Sequence, residues 1–128
     1  MQSLIKTLRI QTGVVRRLRG DYESYIEEIS SDNARVAELS SQLSPDEAPD
    51  SELSYRLRQA RAVVAESKEA LADTGLHLDR AVKGLEEVVE KVKAAGEEAE
   101  SDEVKELLGK AEEVLKKAKE TLAKELKF

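Results

Sequence analysis

Residues 8–43, LRIQTGVVRRLRGDYESYIEEISSDNARVAELSSQL, decide the fold. Taken in steps of seven they give Leu8, Val15, Tyr22, Ile29, Val36 and Leu43, every one apolar or aromatic. Three residues after these come Leu18, Tyr25 and Leu39, with Gln11 and Asp32 as polar exceptions. No proline interrupts the series. A seven-residue apolar period sustained this long specifies one helix with one buried stripe. At 1.5 Å per residue, a helix of about 40 residues is roughly 60 Å long. Such a rod cannot bury its stripe alone, so the chain must fold back along it.

The rest of the sequence supplies that return. Ser44-Pro45-Asp46-Glu47-Ala48-Pro49-Asp50 holds both prolines of the chain. Ser44-Pro45-x-Glu47 has the form of a capping box, and Pro49 disrupts continuation, so a turn follows with Asp50 or Ser51 capping the next helix. A second heptad series then runs Leu57, Val64, Leu71, Leu78, Leu85, Val92, with Leu53, Ala60, Ser67, Thr74, Ala81 and Val88 as companions. Two long helices with matched heptads and a short loop form an antiparallel hairpin in which facing residue numbers add to about 95. Tyr22 and Tyr25 then lie opposite small residues, where Ser67 and Thr74 offer hydrogen bonds to a tyrosine hydroxyl. Gly96 ends the second helix in a left-handed conformation. The acids of Glu97 to Glu100 favour the positive N-terminus of a third helix, capped by Ser101 or Asp102. That helix carries Val104, Leu107, Leu108, Ala111, Val114, Leu115, Ala118 and Leu122.

The expectation is an all-α chain: one up-down-up antiparallel three-helix bundle domain, residues 1–128, with coiled-coil-like packing and helices at about 3–42, 51–93 and 102–126. Ser3 is the expected cap of the first. The third helix is the shortest and should cover the second only down to about residue 69. The distal hairpin, roughly 29–43 and 51–66, would lack a third partner while keeping Ile29, Val36, Leu39, Leu43, Leu53, Leu57 and Val64 apolar. Either a second copy, giving a homodimer through the distal hairpin, or a client protein would cover it.

Composition bounds the function. The chain has 128 residues, 38% charged and 3% aromatic, and a net charge of −6. That balance, with no aromatics interleaved among the arginines, argues against nucleic-acid binding. There is no cysteine, which excludes disulfides, zinc–thiolate sites and thiol catalysis. No apolar run approaches the roughly 20 residues that cross a bilayer, so no membrane is expected as partner. The first twenty residues hold Lys6, Arg9, Arg16, Arg17 and Arg19 and no acid, as a targeting peptide would. Leu8, Val15 and Leu18 nevertheless keep phase with Tyr22, Ile29 and Val36, so this is the basic end of the first helix. The single histidine, His77, stands four residues after Asp73, half of a helical metal site, but its heptad position is an exposed flank. Asp/Glu residues sit on outer faces with Lys at i+4, such as Glu87–Lys91 and Glu106–Lys110. These are solvated pairs rather than acid–base catalysts. No catalysis, cofactor or metal is expected.

With Leu8 at heptad position a, Arg9 and Arg16 fall at b, Ile10 and Arg17 at c, and Gly13 and Gly20 at f. A helix interior loses roughly 1 kcal/mol for each glycine relative to alanine. Glycines on the outside of a helix let a partner backbone approach closely, and arginines beside them offer forked donors to carboxylates. Arg9, Ile10, Gly13, Arg16, Arg17 and Gly20 are therefore the candidate partner-binding residues.

Leu8-Arg9-Ile10-Gln11-Thr12-Gly13-Val14-Val15-Arg16-Arg17-Leu18 resembles the opening helix of the tubulin-binding cofactor A family. Val63-Val64-Ala65-Glu66-Ser67-Lys68, with Asp73 a few residues on, resembles a second segment of that family. The spacing between them also fits, with the family's turn at the Pro-containing loop. The resemblance spans residues 6–92; beyond Gly96 only the acidic, helical character matches. The family usually carries a proline where Ala72 stands here, so this second helix should be straighter. The resemblance implies a chaperone of the tubulin-folding route that captures or stores β-tubulin monomer through helix surfaces, without nucleotide. It also implies a cytoplasmic, cytoskeleton-associated location. The alternative is a structural coiled-coil spacer or dimerisation module with no client. Ile10, Gly13, Gly20 and outward Leu76 favour the client-binder, because a spacer needs only its core.

Overall fold

A computed structural model of the chain describes residues 1–96 and 100–128. It is all-α: α1 spans Gln2–Gln42, α2 Glu52–Lys93 and α3 Asp102–Ala123. The helices pack against one another as a three-helix bundle, up, down and up.

Local chemistry explains each boundary. α1 starts before Ser3, which lies inside the helix rather than capping it; the first turn closes through Ile5 N–H donating to the Met1 carbonyl at 2.9 Å. Ser3 instead lends its carbonyl to the Thr7 hydroxyl at 3.0 Å. After Gln42 two consecutive turns reverse the chain, with Glu47 N–H donating to Ser44 O and Ser51 N–H to Ala48 O, each at 3.1 Å. Ser51 is the α2 cap: its Oγ accepts from Ser54 N–H at 3.1 Å. The Arg58 guanidinium donates to the Pro49 carbonyl at 2.9 Å, which ties the loop to the first turns of α2. Gly96 adopts φ +69°, the left-handed conformation expected of it. Ser101 caps α3 by accepting from Val104 N–H, with Asp102 and Glu103 in the first turn against the helix dipole. Of the acids expected to precede it, Glu97 and Glu98 lie outside the described residues.

α3 stops at Ala123, three residues short of expectation. Lys124 turns extended at φ −66°, ψ 135°. Its backbone N–H donates to the Thr121 carbonyl at 3.4 Å, so the last turn of α3 closes there with a tighter i→i−3 bond.

The contacts divide the chain into two compact units. One comprises Met1–Asp21 with Thr74–Glu125; the other comprises Tyr22–Asp73 with Leu126–Phe128. The first contains segments of all three helices. Its core is Leu8, Val15, Leu78, Leu85, Val92, Val104 and Ala111, of which Leu8, Val15, Leu78, Leu85, Val92 and Ala111 have no exposed surface. α3 lies along α2 antiparallel: Lys119 pairs with Glu86 at 2.9 Å and Lys93 with Glu112 at 2.5 Å. The Glu112 carboxylate accepts a hydrogen bond from Lys93 and, with its charge, holds that ammonium above the ordinary lysine range.

The second unit is the turn end of α1 and α2 with the tail. Here Leu39, Leu57 and Ala60 form a buried cluster, with Val36, Leu43 and Leu53 half-buried against it. Ile29 is fully buried and Val64 nearly so. The hairpin thus covers part of its stripe, Ile29, Leu39, Leu57 and Val64, and leaves Val36, Leu43 and Leu53 only half covered. Phe128 lies with its ring centroid 6.0 Å from Lys68 Nζ, at the outer reach of a cation–π contact. Ser67 donates to Asp32 at 3.3 Å rather than to a tyrosine hydroxyl, so the expected Ser67–tyrosine pairing is replaced by a hydroxyl–carboxylate one. Tyr22 needs less help than supposed, being buried mainly as an apolar body.

Candidate interaction surface

The six residues singled out on α1 all lie in the first unit, and the structure sorts them into two groups. Arg9 and Arg16, at b, turn toward α3. The Arg9 guanidinium donates to the Glu103 carboxylate, with both side chains more than half exposed. Such an exposed pair contributes little to stability. Arg16 lines a cavity of about 260 Å³ with Arg19, Lys110, Glu113, Val114 and Lys117. Three of these cations are already engaged: Arg19 Nε donates to Thr121 Oγ1 at 3.1 Å, Lys117 pairs with Glu113 at 3.1 Å, and Lys110 pairs with Glu106 at 3.5 Å. The b and e positions of α1 are thus the face that α3 occupies.

Ile10, Gly13, Arg17 and Gly20, at c and f, face outward together. Ile10 is 55% exposed, a large value for an isoleucine within an otherwise amphipathic helix. A Cβ built on Gly13 or Gly20 would meet nothing within 4 Å. The strip is therefore smooth and open, with one apolar and one cationic side chain. Among the described residues Arg17 has no ion-pair partner.

The other side of α1 meets α2. Gln11 and Val14, at d and g, border a groove of about 390 Å³ whose α2 wall is Arg80, Ala81 and Gly84. Gln11 Oε1 is buried there and has no hydrogen-bond partner. A Cβ on Gly84 would sit 3.4 Å from that oxygen, an ordinary contact distance. Leu76 is 59% exposed, as its outward position required. The groove was not anticipated. The signal for it was the run of small α2 residues, Ala81 and Gly84, opposite the polar exception Gln11 in the α1 seam.

The second unit carries its own shallow groove, lined by Arg35, Tyr55, Arg56, Ala60 and Val63, with Asp32 at one side. Tyr55 and Val63 are exposed, though neither belongs to the heptad seam. His77 is exposed but not without a partner. No group of three or more metal-ligating side chains occurs among the described residues. Among the same residues, no helix is long and apolar enough to cross a membrane.

No curated protein and no solved structure matches this chain. The family model described as tubulin binding cofactor A matches residues 3–122, which takes in nearly all of α1, α2 and α3. Ile10, Gly13, Arg17 and Gly20 lie within that match, as do the capped turn at Ser51 and all but the first residue of the α1–α2 hairpin, and the chain belongs to the tubulin binding cofactor A family.

Proposed function

We propose that this protein is a tubulin-folding chaperone that captures or holds β-tubulin monomer on the outer face of α1, without nucleotide and in the cytoplasm. Family membership supports tubulin as the client. The observation that carries the choice of surface is the open strip of Ile10, Gly13, Arg17 and Gly20, which the protein's own packing does not use. Arg9 and Arg16 flank it and complete the partner-binding set. The glycines permit close backbone approach, and Arg16 and Arg17 offer forked hydrogen bonds to client carboxylates, while Arg9 reaches a client only by leaving Glu103. Charge then acts mainly on the rate of encounter and weakens as salt screens it, with a Debye length near 10 Å at about 0.1 M.

The test is Arg16→Glu combined with Arg17→Glu, checked first for unchanged helicity. Capture of β-tubulin is then followed by native gel at low and moderate salt. Slower and weaker capture, with a reduced salt dependence, is the expected result. Capture equal to the parent at both salts would remove this face from consideration. A second reading, a homodimer through the hairpin unit, is favoured by exposed Tyr55 and Val63. Sedimentation equilibrium of the parent and of Val63→Asp decides it, since only a dimer on that surface would dissociate in the variant.

A further inference from the structure

We infer that the groove between α1 and α2 in the first unit, formed by Gln11, Val14, Arg80, Ala81 and Gly84, is a docking site for a helix with a small-residue face and acidic flanks. The inference rests on the client-binding reading and names the element of the partner that would be held.

Three independent features of the groove converge. Its floor is small: Ala81 and Gly84 keep side-chain bulk away, and the space measures about 390 Å³. Small residues at a helix interface let a second backbone come close, which a groove floored by leucine would prevent. The groove also holds an unmet hydrogen-bonding demand. Gln11 Oε1 is shut off from solvent and accepts from nothing. An unsatisfied buried acceptor costs roughly 1–3 kcal/mol. A serine or threonine hydroxyl on the incoming helix removes that cost once the Gln11 amide turns its oxygen out toward the groove. A bulkier residue at 84 would fill the space beside the amide and block that turn.

Charge selects the partner's flanks. Arg80 lines the groove on α2 and, among the described residues, has no ion-pair partner. Arg17 stands in the same condition on α1. Ile10, Val14 and Arg17 follow one another at i, i+4 and i+7, so they form one row along that wall. Among the described residues no carboxylate lines the groove. This is a local excess of positive charge on a chain whose net charge is −6. A helix lying in the groove therefore meets an arginine on each side, and Asp or Glu along both flanks supplies the matching charge. A second copy of this chain fits poorly. Two-fold pairing on one patch would set Arg17 and Arg80 against their own counterparts, like charge against like.

The probe is a synthetic acetylated and amidated peptide of about 20 residues, long enough to hold a helix on its own. One face carries Ala, Ser and Leu, and both flanks carry Glu; a control peptide has Lys in place of each Glu. Binding to the full chain is followed by fluorescence anisotropy. The parent is expected to bind the Glu peptide saturably and the Lys peptide at least ~10-fold more weakly. Gly84→Leu, which raises helix propensity while filling the groove, should weaken the Glu peptide at least ~10-fold. Arg17→Glu with Arg80→Glu should reverse the preference between the two peptides. Absence of saturable binding by the parent, or binding that Gly84→Leu leaves intact, overturns the inference. So does self-association of the parent that Gly84→Leu abolishes, since the occupant would then be a second copy. Capture of β-tubulin by the same variants separates this inference from the functional reading. If Gly84→Leu loses the peptide while the parent never captures tubulin, the groove stands and the client is another protein. If the parent captures tubulin and Gly84→Leu captures it equally, the function stands and the groove is not its site.

Discussion

Replacing Gly13 and Gly20 by alanine sets two demands on one helix face against each other. Both glycines lie well inside α1, and neither has a positive φ; the one glycine that does is Gly96. An added Cβ meets nothing within 4 Å at either position. Alanine therefore brings no steric penalty and removes the entropic cost that glycine imposes on a helix interior, about 0.8–1 kcal/mol per site. The two sites are far enough apart to add, so the double variant should gain about 1.5–2 kcal/mol. For a chain of this size that raises Tm by roughly 4–10 °C. Gly109 on α3 is the control: it too is exposed and has open space around its Cα, yet it lies outside the strip. Gly109→Ala should gain about half as much. Thermal melts by circular dichroism at 222 nm measure the stability, and β-tubulin capture on native gels measures the function. The double variant should be more stable and capture less, because two methyl groups now stand between α1 and the client backbone. Gly109→Ala should be more stable and capture as the parent does. A double variant no more stable than the parent would refute the reasoning about open helical glycines. A more stable variant that captures undiminished would refute the use of the strip as a contact surface.

Leu78→Asp or Val15→Asp places a carboxylate at a site with no exposed surface and should cost several kcal/mol, whereas Arg17→Asp should stay within about 0.5 kcal/mol. Equal losses in chemical denaturation would show the heptad register to be wrong. Amides of residues 22–73, held by two helices and the short tail segment, should exchange faster than those of residues 74–92 in the first unit; uniformly slow exchange would contradict the division into units. The Lys93 ammonium, held up by its hydrogen bond to Glu112 and then by that carboxylate's charge, should titrate above the ordinary value of 10.5 in the parent and move down in Glu112→Gln. Because the folded value is the raised one, the pair's stabilisation is fully present below the unfolded lysine value and is lost as pH rises through the folded one. An alkaline limb unchanged by Glu112→Gln would count against it.

The helices were legible because their signal is periodic and repeated. Leu8, Val15, Tyr22 and Ile29 on α1 are buried, as are Leu57, Val64, Leu71, Leu78, Leu85 and Val92 on α2. Each position is supported by neighbours seven residues away, so one polar exception does not move the register. The ends were less legible because they rest on single residues. Ser3 had the chemistry of a cap, but the turn before it closed without one. Leu122 and Leu126 keep a helical spacing, so α3 read as continuing; Lys124 instead turns extended, and Leu126–Phe128 belong with the hairpin. The surface was half legible. A pattern of two helices identifies what faces the partner helix but leaves open which flank a third helix takes. α3 took the b and e flank, which drew Arg9 to Glu103 and left Ile10, Gly13, Arg17 and Gly20 outside. The α1–α2 groove was missed because its defining features are small residues and a polar exception, which periodicity treats as noise.

The first unit is assembled from both ends of the chain, with the hairpin unit lying between them in sequence. This has a consequence for a nascent chain on the ribosome. The partners Asp32 and Ser67 are 35 residues apart, whereas Arg9 and Glu103 are separated by 94 and Arg19 and Thr121 by 102. At a synthesis rate of roughly 10 residues per second, the stretch from residue 73 to residue 123 takes about 5 s to emerge. A helical hairpin closes in far less than a second. The turn end therefore folds while the start of α1 still waits for its partners: Leu8 and Val15 are uncovered until the second half of α2 emerges, and then have only α2 for cover until α3 follows. The segment from Ile10 to Gly20 is made before the hairpin unit and is fixed in place after it.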